Sequence, residues 1–197
     1  LKSNSDYVLA VGNNYFMDSQ SKRCYWDGYQ KISYNTKKAK SISLGSYLKQ
    51  IRKDVDFYSD EFGKYQSLLR GNYIPNGYLV RRDTFINKVG GYSEKCSLED
   101  YFLHLQLSKF GKYKYIDKHL YNYRCHKENF SKKKDQMLYL TEVTIKMEKK
   151  YAKKFGFEKT YIDYMQNLRK KSNQVTIRKL YFRIKKFIYR RIKSIYK

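Results

Sequence analysis

Proline occurs once in the 197 residues, at Pro75, and glycine ten times, which excludes collagen-like, proline-rich and glycine-serine linker architectures. Cysteine occurs three times, at Cys24, Cys96 and Cys125, with no CxxC pair. An odd count without metal spacing spells no disulfide framework, and a reduced, cytoplasmic compartment is the simpler expectation. His104, His119 and His126 lack zinc-finger and HExxH spacing. No run of 18 apolar residues exists, so no membrane-spanning helix is expected. Acid is scarce: 18 Asp and Glu stand against 43 Lys and Arg, a net charge of +25. Asn129-Phe130-Ser131 spells a glycosylation triplet that we read as chance. The chain begins at Leu1 with no signal-like segment and reads as a piece of something longer.

Hydrophobic residues make up 41% of the chain, enough for a core and against wholesale disorder. The charge is uneven. No acid follows Asp163, and twelve Lys or Arg lie between Arg169 and Lys197. Ile177, Leu180, Tyr181, Ile184, Phe187, Ile188, Ile192 and Ile195 recur at helical spacing, within an arc of about 140°. Arg178, Lys179, Arg183, Lys185, Lys186, Arg190, Lys193 and Lys197 take the other face. This predicts a basic amphipathic helix over about 175–196. It packs on the rest of the domain, lies on an anionic membrane surface, or binds nucleic acid. The 23 tyrosines could stack bases, but they are spread along the chain without an RNA-recognition motif, so no nucleic acid is expected.

The pattern predicts an α/β body over 1–133 and a helical extension over 134–197. Tyr7–Val11 reads as a buried strand, and Asn13 to Tyr34 as polar and turn-rich. Ser43 caps a helix through Leu44, Leu48 and Ile51. A second helix is expected from Asp60 to Arg70, a turn at Ile74-Pro75-Asn76-Gly77 and a strand at Tyr78–Val80. Asp83 starts a short helix ending at Gly90-Gly91, and Ser97 starts one ending at Gly111. Tyr113–Ile116 and Leu120–Tyr123 read as strands, Lys134–Phe155 and about Lys159–Lys171 as helices.

Two features carry chemistry. Ser97-Leu98-Glu99-Asp100 resembles a capping box. Asp100 either supports the helix start, or is a carboxylate fixed by backbone N–H groups, held ionised and able to take a proton from a sugar hydroxyl. In Tyr123-Arg124-Cys125-His126, an extended backbone puts Arg124 and His126 on one face. They are ordinary surface residues, or a guanidinium and imidazole that hold a diphosphate, with the imidazole able to ligate a divalent ion.

The order Pro75-Asn76-Gly77, Leu79-Val80-Arg81-Arg82, Val89-Gly90-Gly91-Tyr92-Ser93-Glu94, Glu99-Asp100-Tyr101, Gly111, Tyr123-Arg124-Cys125-His126, then Asn129 and Ser131, resembles the C-terminal half of a GT-A family 2 glycosyltransferase. The resemblance covers about residues 6 to 131 and is specific over 74 to 131. It implies a partial GT-A, Rossmann-like domain lacking its N-terminal nucleotide-binding half. It implies transfer of a hexose or N-acetylhexosamine from a nucleotide sugar, UDP-linked by expectation, to a hydroxyl of a growing polysaccharide or glycolipid with inversion. Capsule or lipopolysaccharide synthesis at the inner face of the membrane fits such an enzyme. Asp100 falls on the family's catalytic base and Glu99 on its acceptor-binding acid. His126 falls on the histidine near diphosphate and metal, and Arg124 on the arginine of the same strand. Asn76 and Gly77 fall on the wall near the sugar.

The departures are informative. No Pro-x-Tyr-Asn-like turn and no metal-binding Asp-x-Asp stretch is found; Asp54-Val55-Asp56 has the spelling but reads as a loop. Mn or Mg would serve the intact parent, with ligands other than His126 upstream of Leu1, and the chain alone is expected to be inactive. The Gln-x-x-Arg-Trp motif of processive synthases is missing, which favours single-sugar transfer. The competing class is a basic module that binds nucleic acid or a membrane surface without chemistry.

Overall fold

The computed structural model describes residues 1–26, 32–34, 42–96, 98–126, 128–129 and 133–175. Ser97, Ser131 and the amphipathic stretch beyond 175 lie outside them. The chain divides into two compact units, Leu1–Lys133 and Lys134–Lys197.

The first unit is mixed α/β. Strand β1 (Tyr7–Met17) is central in a three-stranded sheet, antiparallel to β4 (Tyr78–Val80) and parallel to β5 (Lys112–Arg124). A small hairpin pairs β2 (Tyr25–Trp26) with β3 (Ile32–Ser33). Parallel β1 and β5 require a crossover, and it contains α1 (Leu44–Ile51), α2 (Tyr65–Leu68), β4, a π-helical turn (Thr84–Val89) and α3 (Glu99–Leu107). Val8, Leu9, Val11 and Phe16 of β1 are buried, as are Tyr113 and Tyr115 of β5 and Tyr101, Leu103, Leu105 and Leu107 of α3. Much of the aromatic excess is core: Phe57, Phe62, Tyr73 and Tyr115 pack with neighbouring ring centroids 5.0–5.7 Å apart. The hydroxyls of the buried Tyr73 and Tyr101 find partners. Tyr73 Oη accepts from the Gly63 N–H at 2.9 Å, and Tyr101 Oη donates to the Leu68 carbonyl at 2.7 Å.

Ser43 caps α1 in a reciprocal capping box with Ser46. β1 runs six residues beyond the strand read from Tyr7–Val11, through the polar Gly12-Asn13-Asn14. The buried Asn13 is satisfied from outside the strand: its Nδ2 donates to Asp117 Oδ1 at 3.0 Å, and its Oδ1 accepts from the Gly45 N–H at 2.9 Å. The buried Asn14 donates through Nδ2 to the Asn76 carbonyl, while its Oδ1 has no partner among the described residues. The strands expected at Tyr113–Ile116 and Leu120–Tyr123 are one strand, with register shifts near Gly12–Asn14 absorbing the irregularity. The helix expected over Asp60 to Arg70 shrinks to Tyr65–Leu68, because Gly63 turns the chain at φ +80°. Arg81 fixes the chain's beginning, its guanidinium donating to the carbonyls of Leu1, Asn4 and Tyr7 at 2.7–3.2 Å.

The second unit is helical over its described residues: α4 (Lys134–Met147), α5 (Lys149–Lys154) and a helix over 158–175. The single helix expected over Lys134–Phe155 is interrupted at the buried Glu148. Among the described residues, no helix is long and apolar enough to cross a membrane.

Candidate active site

A cleft of about 650 Å³ in the first unit is lined by Asn76, Gly77, Tyr78, Tyr92, Glu99 and Asp100. Three separate segments build it. The turn before β4 brings Asn76 and Gly77, and its position is fixed from β1, where Asn14 Nδ2 donates to the Asn76 carbonyl at 2.8 Å. Gly77 adopts φ +79°, and a Cβ there would lie 2.6 Å from the Tyr121 ring, so both backbone and neighbour require glycine. The loop after the π-helical turn brings Tyr92. Gly90 and Gly91, both at φ +83°, reverse the chain, and the Gly91 N–H donates to the Phe85 carbonyl at 2.8 Å. The first turn of α3 brings Glu99 and Asp100.

Tyr78 and Tyr92 meet across the cleft, hydroxyl to hydroxyl at 3.2 Å. Behind Tyr78 stands His104, fully buried on α3, its ring edge-on to Tyr78 at 4.8 Å. Burial drives its pKa down to about 3, so the imidazole is neutral. Its Nδ1 lies 3.2 Å from Asn72 Oδ1, an acceptor, so Nδ1 carries the proton and the unpartnered Nε2 is a bare lone pair. Burial also pushes the Tyr78 hydroxyl far up, with the Tyr92 hydrogen bond adding to it, so Tyr78 remains a protonated donor.

Asp100 is half-buried and Glu99 exposed. Asp100 Oδ1 accepts from the Tyr101 N–H at 2.6 Å. That bond lowers its pKa, but burial raises it by more and the Glu99 charge raises it further, so the net direction is upward. The helix start therefore does not set the direction of the shift: desolvation outweighs the backbone donor. The capping residue of α3 is Leu98, with no side-chain cap bond.

Arg124 and His126 are not among the residues lining the cleft. Arg124 pairs with Met17 at one end of the β1–β5 ladder, whereas Tyr78 pairs with Val11, a separation of about 20 Å along the strand. The Arg124 guanidinium donates to the carbonyls of Asp18 and Ser19 at 2.8 and 3.0 Å and to Ser21 Oγ at 3.3 Å. It clamps a turn in which Ser21 takes φ +63°. The His126 N–H donates to Asn129 Oδ1, while Asn129 Nδ2 donates to the Arg124 carbonyl at 3.0 Å, closing the strand end. Of the six residues singled out from the sequence, the structure brings together Asn76, Gly77, Glu99 and Asp100, with Arg124 and His126 elsewhere.

Sequence reasoning passed over Tyr78, Tyr92 and His104. Tyr92 sat inside the quoted Gly-Gly-Tyr turn, and His104 lies one helical turn after Asp100; both signals were local, but only tertiary packing joins them to Tyr78. Among the described residues, no three His, Cys, Asp or Glu side chains come together to hold a metal ion. These residues therefore do not fit the divalent ion that the resemblance implies. Asp54 instead pairs with Arg52 and Arg70, at 2.8 and 3.5 Å. Comparisons with protein-family models, with curated proteins and with solved structures yield no match.

Proposed function

We propose that the chain is the acceptor side of an inverting, non-processive GT-A glycosyltransferase whose parent moves a sugar from a nucleotide sugar to a hydroxyl of a polysaccharide or glycolipid. The observation that carries this reading is the single cleft joining Asn76, Gly77, Glu99 and Asp100. Asp100 takes the proton of the acceptor hydroxyl as its oxygen bonds to the anomeric carbon. The bond from that carbon to the diphosphate oxygen breaks, and the diphosphate departs with the electron pair. A base whose pKa is raised toward the operating pH accepts that proton more readily than an ordinary aspartate. Glu99 accepts a hydrogen bond from a second acceptor hydroxyl.

Asp100→Asn tests the reading. In the parent protein it should lower kcat by about 10²–10⁴-fold with donor binding unchanged; transfer within about tenfold of wild type assigns the base elsewhere. The same substitution should raise Tm at pH 7. A carboxyl whose folded pKa is raised stabilises the fold fully below its ordinary value of 3.8 and loses that contribution as pH rises through the raised value. The amide escapes this cost, so the gain should vanish near pH 3. Loss of activity together with gain of stability separates a missing base from a damaged fold.

A second reading, a module that binds anionic surfaces, draws on α5. Lys149, Lys150, Lys153 and Lys154 are exposed there, beside a Tyr151–Phe155 stack with centroids 4.2 Å apart.

A further inference from the structure

We infer that the cleft receives an uncharged pyranose ring on the Tyr78–Tyr92 pair, and that Glu99 and Asp100 turn away sugars bearing a carboxylate or phosphate. Calling that ring the acceptor rests on the transferase reading; the binding preference does not.

The local charge points this way. In a chain of net charge +25, the six lining residues include two carboxylic acids and neither Lys nor Arg. A nucleotide's phosphates find no cation among the described residues that line it. An anionic sugar would bring like charge beside two acids, the exposed Glu99 and the half-buried Asp100, and at Asp100 solvent screens less well. A neutral polyol matches the same groups. Its hydroxyls donate to Glu99 and Asp100 and accept from the Tyr78 hydroxyl, which burial keeps protonated.

The aromatic geometry supplies the second part. Tyr92 is 53% exposed at the mouth, braced edge-on by Phe85 at 5.4 Å and tied to Tyr78 through the hydroxyl pair. A braced, exposed ring beside hydrogen-bonding groups offers an apolar face for the C–H side of a pyranose and polar groups for its rim. Tyr78 is held from behind by His104, so the pair is positioned before ligand arrives. The volume lies within the range of small-molecule sites.

Saturation-transfer NMR on the 197-residue chain tests this. The probes are methyl hexopyranosides and methyl N-acetylhexosaminides, each paired with its 6-carboxylate. At least one neutral glycoside should receive saturation and bind at least about tenfold more tightly than its acidic partner. Tyr92→Ala should abolish the signal, Tyr92→Phe should retain most of it, and Glu99→Gln should bring the acidic partner within about threefold of the neutral one. Tyr92 lies on an exposed loop, and circular dichroism verifies that its variants fold. The inference is overturned if no neutral glycoside binds, if the acids bind equally well, or if Tyr92→Ala behaves as wild type. Binding with the stated preference beside an inactive parent removes the transferase and keeps the subsite; transfer with an acceptor KM indifferent to Tyr92 does the reverse.

Discussion

His104 shows how burial alone sets a residue's charge. Its imidazole is enclosed between Asn72 and Tyr78, and among the described residues no acid stands close enough to favour the charged form. The unfolded chain gains a proton near the ordinary value of 6.5, whereas the folded chain holds off until about 3. Stability is therefore complete above pH 6.5 and falls as the pH drops toward 3, with a slope approaching about 1.4 kcal/mol per pH unit. Urea denaturation between pH 7 and 4 should show this slope in the wild type and a shallower one in His104→Phe; parallel slopes would assign the acid sensitivity to other groups. Asp18 and Asp117 add in the same direction, because hydrogen bonds from Tyr34 and Tyr58 respectively lower their pKa values. Arg124 teaches a related lesson. A guanidinium at a strand end is equally suited to a phosphate and to backbone carbonyls, and here the carbonyls of Asp18 and Ser19 are its partners.

Elements formed where local signals and tertiary contacts agreed, and shifted where they conflicted. The Ser43 cap and the Gly90 stop were legible because each needs only its own neighbours. The far half of β1 was not, since Asn13 and Asn14 are poor strand formers until Asp117, Gly45 and Asn76 meet their side-chain amides. Two glycines mark places where the backbone constrains the elements. Gly77→Ala should cost about 1–2 kcal/mol for its positive φ, and somewhat more because its Cβ would meet the Cγ and Cβ of Tyr121 at 2.6 and 2.7 Å, which the half-exposed Tyr121 relieves only by a shift of its strand. Gly63→Ala should cost about 3–5 kcal/mol. Its Cβ would overlap the ring of the buried Tyr113, whose hydroxyl is bonded to the His104 carbonyl. Urea midpoints of the two variants measure the difference; equal losses would show that the Tyr113 side of the core yields as easily as the surface.

At the scale of the whole molecule, both units are net basic, and the cleft and the lysine-rich helix lie in different ones. The cleft with its two acids belongs to Leu1–Lys133, and the lysine-rich α5 to Lys134–Lys197. Replacing Lys149, Lys150, Lys153 and Lys154 by Gln should weaken co-sedimentation with acidic vesicles by at least about tenfold at low salt. Each basic side chain near such a surface contributes about 1 kcal/mol, screened as salt rises. Undiminished binding would locate any membrane contact outside α5. The sequence by itself determined the mixed α/β character, the α1 cap, the glycine stops and the candidate acids, because these depend on composition and on residues within one turn of each other. Tertiary structure decided three further things: that Glu99 and Asp100 share a cleft with Asn76 and Gly77, that Tyr78 and Tyr92 close it, and that Arg124 points its guanidinium at a turn. The physical reason is common to all three. Desolvation, ring packing and the choice of hydrogen-bond partner are set by residues tens of positions away, and the spacing of side chains along a chain carries no record of them.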